Sequence, residues 1–462
     1  MTDLHDASRP ASRPRDPSRR RFVRRLFAGS AGLAALPALS AALSARDLDG
    51  LLAAPAPAIP AGRPTGPVPP FPASPAAGAD EAYWAQIRAH FILRDGITPM
   101  NAANLCPAPR IVIDRMVEAM RDIDGDVSFQ NRAKYEQTQE EVRDRLARHL
   151  GASPDEIAIV RNTSEANNII VGGLDLGPGD EVLVFDENHP TNNVAWDVRA
   201  ARFGFSVRRV SVAPQPSGPE AVLDTFVRAL SDRTRVVAFS DVSNVSGLRI
   251  PAQALCREAR ERGIHAHVDG AQSFGILRLD LHAMGCDSYA SSAHKWLMGP
   301  KEAGVLYVRE DRIPHLWPGM VGVGWGSGAR TSARGARKLE TLGQRSDATV
   351  AAFGAALQFQ ERIGLERIET RALELARALK EGITRIPGAE LLSPSREEVS
   401  AGVVIARFEG LDSGDVYEAL YRDHGIAAAP TGGVRFTPHV YNTMADVGRA
   451  VAAVEDIVSR RG

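Results

Sequence analysis

The spacing of apolar residues changes character four times along this chain of 462 residues. Before position 80 there is no period, only an uncharged run at 26–45 built from Ala, Gly, Ser and Leu with Pro37 inside it. Stretches 83–91 and 110–122 then carry apolar residues at helix spacing. From 156 onward short apolar runs take over, at 156–160, 181–185, 207–212, 234–240, 265–269, 288–292 and 304–308, separated mostly by helix-like segments. That alternation predicts an α/β fold: a largely parallel sheet with helices on both faces. Stretch 320–345 is rich in Gly and Arg with little apolar period. Stretch 350–386 returns to strong helix spacing and opens a smaller C-terminal α+β domain, with strands expected at 402–408 and 433–436. The expected division is a leader at 1–52, a linker at 53–80, a large domain with an N-terminal arm at 81–335 and a small domain at 336–462.

The leader has its own chemistry. S-R-R-R-F-V-R at 18–24 precedes the weakly apolar run, which is the address of the twin-arginine export route. An exported protein, periplasmic or extracellular, is therefore expected, with that export machinery as a partner. The run also reaches the roughly 20 residues that a membrane span requires, so an uncleaved anchor is the rival reading. Residues 53–80 are Pro, Ala and Gly with few large apolar side chains, which predicts an extended linker. A formal net charge of −1 and 24% charged residues exclude the basic footprint of a nucleic-acid protein. Cys106, Cys256 and Cys286 are widely spaced and form no metal motif, so no metal site is expected.

Candidate chemistry gathers at the ends of the predicted strands, where sheets of this kind bind ligands. S-S-A-H-K-W-L-M-G-P at 291–300 sets Lys295 just past one strand, and H-A-H-V-D-G-A-Q at 265–272 ends the preceding strand in Asp269. A buried lysine is costly unless exposed, paired or chemically used. An acid and a lysine at neighbouring strand ends suit a pyridine cofactor, pyridoxal 5'-phosphate. The carboxylate keeps the ring nitrogen protonated, and the amine holds the aldehyde as a Schiff base. Taken singly, Asp269 also reads as a helix cap and Lys295 as a solvated lysine. Thr163 and Ser164, in R-N-T-S-E-A-N-N, open a helix and offer a seat for a phosphate.

V-D-G-A-Q followed by S-S-A-H-K-W-L-M-G-P resembles the class V aminotransferase family of pyridoxal-phosphate enzymes, which includes cysteine desulfurases, selenocysteine lyases and isopenicillin N epimerases. The resemblance runs from about Asn101 to the C-terminus and implies the fold-type I architecture and a homodimer. It implies Lys295 as the imine-forming lysine and Asp269 as the acid at the ring nitrogen. Ser292 and His294 then contact the phosphate, with Gln272 and Asn244 beside the ring oxygen. Isopenicillin N epimerases tend to have histidine at the Gln272 position. E-N-H-P-T-N-N-V-A-W is similar to the segment whose histidine lies over the ring, here His189, although one extra residue separates it from Trp196. Where the family lends a threonine to the neighbouring subunit's phosphate site, this chain has Gln344. G-G-V-R-F-T-P-H-V-Y-N-T resembles the segment whose arginine grips the substrate carboxylate, which assigns Arg435, with Asn244 beside it. N-A-A-N-L-C-P-A-P is similar to an opening found near the substrate in isopenicillin N epimerases, so Asn101 and Asn104 are either substrate neighbours or turn formers.

The resemblance implies an enzyme acting on the α-carbon of an amino acid or a derivative of one. Cysteine desulfurases need a mobile cysteine in the C-terminal part, and none follows Cys286 here, which argues against persulfide transfer. The isopenicillin N epimerase-like subgroup is the reading preferred, with an aminotransferase or a C–S lyase as alternatives. A catalytically silent binding module of the same fold is the non-enzyme alternative.

Overall fold

The computed structural model describes residues 68–73, 75, 80–322 and 334–460. The leader and most of the linker lie outside these residues. Seven strands form the main sheet: β1 (Ile157–Val160), β2 (Glu181–Phe185), β3 (Ser206–Val210), β4 (Thr234–Ser240), β5 (His265–Asp269), β6 (Ser288–Ser292) and β7 (Gly304–Val308). Their order is β1-β7-β6-β5-β4-β2-β3. The pairs from β6 through to β3 are parallel, and β7 runs antiparallel to both of its neighbours. Strands β1, β2, β5, β6 and β7 are buried along their whole length. That explains why they read as short continuous runs in place of clean alternation.

All seven predicted strands exist, with shifted edges. The first begins at Ile157, because Ser153 and Glu156 close a capping box over one turn of 3-10 helix. The third ends at Val210, on the outer strand of the sheet. Helix α1 (Glu81–Arg88) is capped by Asp80 and buries Tyr83, Trp84 and Ile87. Helix α2 (Arg110–Gly125) runs slightly past its expected end, and α3 (Phe129–Leu150) follows it. Helices α4 (Thr163–Gly173) and α5 (Pro190–Phe203) start at the carboxyl ends of β1 and β2, so their first turns face the same end of the sheet.

The single helical stretch expected at 350–386 is two helices, α6 (Asp347–Ile363) and α7 (Leu365–Thr384). Gly364 separates them at φ +95, a conformation that side chains rarely adopt. Helix α6 packs on α2 and α3, and its Val350, Phe353 and Leu357 join the core of the main sheet. Helix α7 covers the second sheet, where Val404–Phe408 lies between Ala389–Leu391 and Val434–Phe436, with Ala429–Pro430 at the edge. The packing partner therefore changes at Gly364, well after the composition does at 336.

Two segments tie these layers together. Strand Thr98–Pro99 pairs in parallel with Ile426–Ala427, and the chain then runs back across the site end of the main sheet. Phe71, inside the expected linker, stacks edge-on against Phe359 at 5.6 Å and beneath the Arg362 guanidinium at 4.0 Å. At Phe71 that stretch is thus packed, because one aromatic side chain finds a partner. Among the described residues, no helix is long and apolar enough to cross a membrane.

Glu340 shows how the Gly/Arg-rich region is anchored. Its carboxylate accepts from Arg143 Nη1 and Nη2 at 2.9 and 2.7 Å, from Ile159 N–H at 2.5 Å and from Gln139 at 2.6 Å. Arg143 is fully buried and also pairs with Glu140 at 3.1 Å, so loss of Glu340 removes the closer of its two acids and the partner of the Ile159 N–H. Glu340→Ala is expected to destabilise the fold by about 1.5–3 kcal/mol, the loss of hydrogen bonds to a charged group, measured as a shift of the urea midpoint with unchanged slope.

Candidate active site

Lys295 sits in the turn after β6. Met298 N–H donates to the Lys295 carbonyl at 2.8 Å, and Gly299 N–H donates to Ala293 O at 2.7 Å. Met298 holds φ 60, a left-handed conformation costly for a side-chain residue, so the neighbourhood must over-determine it. It does so through Trp296, whose indole donates to Gln272 Oε1 at 2.8 Å. The Trp296 carbonyl takes Gln360 Nε2 at 2.9 Å and shares a hydrogen bond with His439 Nε2 at 2.8 Å. The Lys295 ammonium itself makes no hydrogen bond or ion pair among the described residues. Burial pushes that amine down to about 8; the nearby Arg435 adds to this, and Asp269 opposes it.

Asp269 ends β5 and is 2% exposed. Its carboxylate accepts from Asn167 Nδ2 at 2.8 Å, Asn192 Nδ2 at 3.4 Å and Ala271 N–H at 3.1 Å, and forms no ion pair among the described residues. Gly270 follows because nothing larger fits: a Cβ there would lie 1.8 Å from the Tyr289 ring. Asp241, at the end of β4, is a second buried acid. Its N–H donates to Asp269 O at 3.2 Å, and burial raises its carboxyl to about 7.

The start of α4 meets β6 through Thr163, whose N–H donates to Ser292 Oγ at 2.7 Å while the two hydroxyls share a bond of 2.6 Å. Ser164 Oγ donates to Thr191 Oγ1 at 3.4 Å, linking this turn to the start of α5. His294, half-buried, has its imidazole lowered to about 4 by burial and then by Lys295 and Lys301. His189 caps α5, is exposed, and lies below its ordinary value through loss of hydration and then the Lys295 ammonium. Arg435 lowers it further and Asp269 opposes.

Arg435 is 5% exposed and lacks any acidic partner among the described residues. Its Nη1 donates to the Asn244 carbonyl at 3.0 Å, its Nη2 to Asn101 Oδ1 at 3.3 Å, and its Nε has no partner. A buried guanidinium held by two neutral oxygens is charged but not neutralised, which suits an incoming carboxylate. Asn101 does both of the things expected of it, its side chain meeting Arg435 and its carbonyl closing the turn with the Asn104 N–H at 3.0 Å, whereas Asn104 is exposed. Gln272 is committed on both sides: besides Trp296 it donates to Ala103 O at 3.0 Å, leaving one amide hydrogen. Gln344 stands apart in the single chain, exposed and accepting from Arg132 at 3.1 Å.

Asp269 and Arg435 thus both act on the Lys295 amine, and all three act on the His189 ring, with Thr163, Ser292 and His294 adjoining through β6. Sequence reasoning missed Asn167 and Asn192, which hold Asp269 from α4 and α5, and Gln360 and His439, which hold the Lys295 turn. The period-2 polarity of H-A-H-V-D was a usable signal for the row behind Asp269. The partners across elements carry no local one.

The donor set fits pyridoxal 5'-phosphate. It offers an uncoupled amine, an acid with three neutral donors, hydroxyls at a helix start and a carboxylate-ready guanidinium. Residues 101–449 match the family described as aminotransferase class-V. The isopenicillin N epimerase of Amycolatopsis lactamdurans is 32% identical over 392 residues, covering 81% of this chain and 98% of its own. A cysteine desulfurase of Synechococcus elongatus is 30% identical, covering 69% of this chain and 51% of its own. Among solved structures, the cystine C–S lyase C-DES, bound to cysteine persulfide, aligns with TM-score 0.73 at 24% identity over 78% of this chain and 98% of its own. A C-DES variant with glycine covalently linked to its PLP cofactor aligns with TM-score 0.75 over 80% and 99%. The architecture is that of the fold-type I PLP-dependent transferases.

Two outcomes follow from this geometry. Reductive labelling of Lys295 in apo-protein by a small aldehyde should rise about tenfold per pH unit up to pH 8 and then level, read by peptide mass spectrometry. Exposed lysines should still be climbing there, because their ammonium gives up its proton near 10.4. Gly270→Ala should cost about 1–3 kcal/mol by overpacking against Tyr289, seen as a lowered thermal midpoint.

Proposed function

This chain belongs to the class V aminotransferase family, whose cofactor is pyridoxal 5'-phosphate, and from that premise we propose an enzyme acting on the α-carbon of an amino acid or amino-acid-derived substrate. The preferred reaction is epimerisation of the isopenicillin N epimerase type. The observation that carries the reading is Arg435, buried, without an acidic partner among the described residues and close enough to the lysine amine to act on it.

The roles follow from the residues. Arg435 binds the substrate carboxylate and, with Asn101 and Asn244 fixing its fork, orients the α-carbon. Lys295 attaches the cofactor and, in its neutral form near pH 8, takes or returns the α-proton at Nζ on its own face. His189, kept neutral by its surroundings, covers the cofactor ring and holds a proton at the open face. Asp269 stays an acceptor for the protonated ring nitrogen, and Thr163, Ser164, Ser292 and His294 receive the phosphate. When bound, pyridoxal 5'-phosphate supplies the electron-withdrawing ring that stabilises charge at the α-carbon.

Persulfide transfer is not proposed. No cysteine follows Cys286, and all three cysteines are buried, with the Cys106 thiol pushed up to about 12 and the other two raised as well. Thiols of that kind are inert. A C–S lyase or an aminotransferase is the second reading, favoured by the likeness to C-DES and the desulfurases. We further propose a homodimer in which Gln344 reaches the neighbouring subunit's phosphate site, and export of the folded protein by the twin-arginine route. A reporter fusion that is still exported with Arg19 and Arg20 both changed to Lys removes the export proposal.

The test has two stages. Purified protein should show an absorbance band near the visible edge that disappears in Lys295→Ala; without a lysine-dependent band the chain is a silent binding module. Holo-protein is then incubated with amino acids and amino-group acceptors in deuterated water. Deuterium at the α-carbon with scrambled chirality supports epimerisation. Acceptor-dependent keto acid, or ammonia with pyruvate, replaces it with transamination or elimination. Arg435→Ala should raise KM for the carboxylate substrate by about 30- to 800-fold, the 2–4 kcal/mol of a lost charged pair.

A further inference from the structure

The face of β5 and β6 that meets α4 carries a polar row. His265 Nε2 lies 3.0 Å from Ser288 Oγ, and Ser288 Oγ lies 2.8 Å from His267 Nδ1. His267 Nε2 is 3.0 Å from Asn167 Oδ1, and Asn167 Nδ2 is 2.8 Å from Asp269 Oδ2. Asn167, His267 and Ser288 are fully buried. Water therefore cannot substitute for a missing partner, and every proton in the row has a defined place.

The heavy atoms admit one assignment. An ionised carboxylate only accepts, so Asn167 turns its N–H to Asp269 and its oxygen to His267. His267 must then carry its proton on Nε2, which leaves Nδ1 to accept from the Ser288 hydroxyl. Ser288 in turn accepts from His265 Nε2–H. A charged His267 would set two N–H donors against one hydroxyl, and burial lowers that imidazole to about 3. His265 is lowered to about 4 by the same cause.

We propose that Ser288, His267 and Asn167 are positioning residues for Asp269: the Ser288 hydroxyl sets the tautomer of His267, and that tautomer decides which end of the Asn167 amide meets the carboxylate. The inference rests on the reading of Asp269 as the acid facing the cofactor's ring nitrogen. With the proton on Nδ1, the bare Nε2 would face the Asn167 oxygen. The amide would turn over and set its oxygen against the Asp269 carboxylate. Asp269 would keep only Asn192 at 3.4 Å and Ala271 N–H at 3.1 Å.

The experiment pairs a spectroscopic readout with a binding cycle. Imidazole 15N shifts in histidine-labelled protein, with His267 assigned by its loss in His267→Gln, should show the Nε2–H tautomer in the wild type. Ser288→Ala should admit the Nδ1–H form and weaken pyridoxal 5'-phosphate binding to apo-protein about three- to tenfold. Ser288→Thr, which keeps the hydroxyl, should restore both. Asn167→Ala should weaken binding to a similar degree, and Ser288→Ala added to it should change nothing more, as expected of one connected row. A wild-type Nδ1–H tautomer, unchanged cofactor affinity in folded Ser288→Ala, or additive losses in the double variant would each overturn the proposal. If Ser288→Ala does not fold, the wild-type tautomer and the affinity of Asn167→Ala decide it. These outcomes leave the Lys295-dependent band untouched, whereas its absence from wild-type protein overturns the cofactor reading itself.

Discussion

The register of β5 against β6 is the constraint on which the site depends. His267 lies opposite Ser288, Val268 opposite Tyr289 and Asp269 opposite Ala290. With that pairing, His265, His267 and Asp269 share one face with Ser288 and Ser292, and α4 covers it with Asn167 and Thr163. Val268 and Tyr289 go to the other face, into the apolar core. A slip of one residue would exchange the faces, burying a carboxylate and two imidazoles among aliphatic side chains. The pairing that builds the core is therefore the same one that delivers the acid and the lysine to one end of the sheet.

Charge at that end is deliberately unbalanced. Lys295 and Arg435 bring two cations, neither with an ion-pair partner among the described residues, against the carboxylate of Asp269 and an Asp241 carboxyl that burial raises to about 7. In a water-poor setting this costs stability, since buried charge is tolerated when paired and penalised when not. The lowering of Arg435 to about 10 by burial, and of Lys295 to about 8, records the cost. Elsewhere the fold treats buried cations differently: Arg143 receives Glu340 and Arg371 receives Glu81. The contrast is what the proposed function requires of the Lys295 end: cations left open for ligand anions.

Much of this was legible in the chain, for reasons that can be given residue by residue. Strands buried on both faces announce themselves as short apolar runs, so all seven were found, with errors only where a 3-10 turn at Glu156 or the outer position of β3 moved an edge. Lys295 and Asp269 were legible because they directly follow or close such runs. Long amphipathic segments were less faithful: nothing in the spacing of 350–386 shows that Gly364 breaks it, since helices tolerate isolated glycine at modest cost. Asn167, Asn192, Gln360 and His439 were not legible at all. Each acts across space on an element far away in sequence, and an amide or imidazole carries no pattern of its own.

The turn bearing Lys295 explains why so many of those unread residues exist. A side chain that must change its bonding during a reaction cannot also be the group that holds its own backbone in place. The fold separates the two tasks. Gln360 from α6, His439 from beside the small sheet and Gln272 from the β5 turn grip Trp296, one residue away. Cys106 N–H holds the His294 carbonyl at 2.9 Å on the other side. Backbone strain at Met298 is sustained by those contacts, and the amine is left with no structural duty. Fixing the main chain at both flanks while leaving Nζ uncommitted lets the lysine be positioned without being bonded, which is what a reaction with repeated transfer at one nitrogen demands.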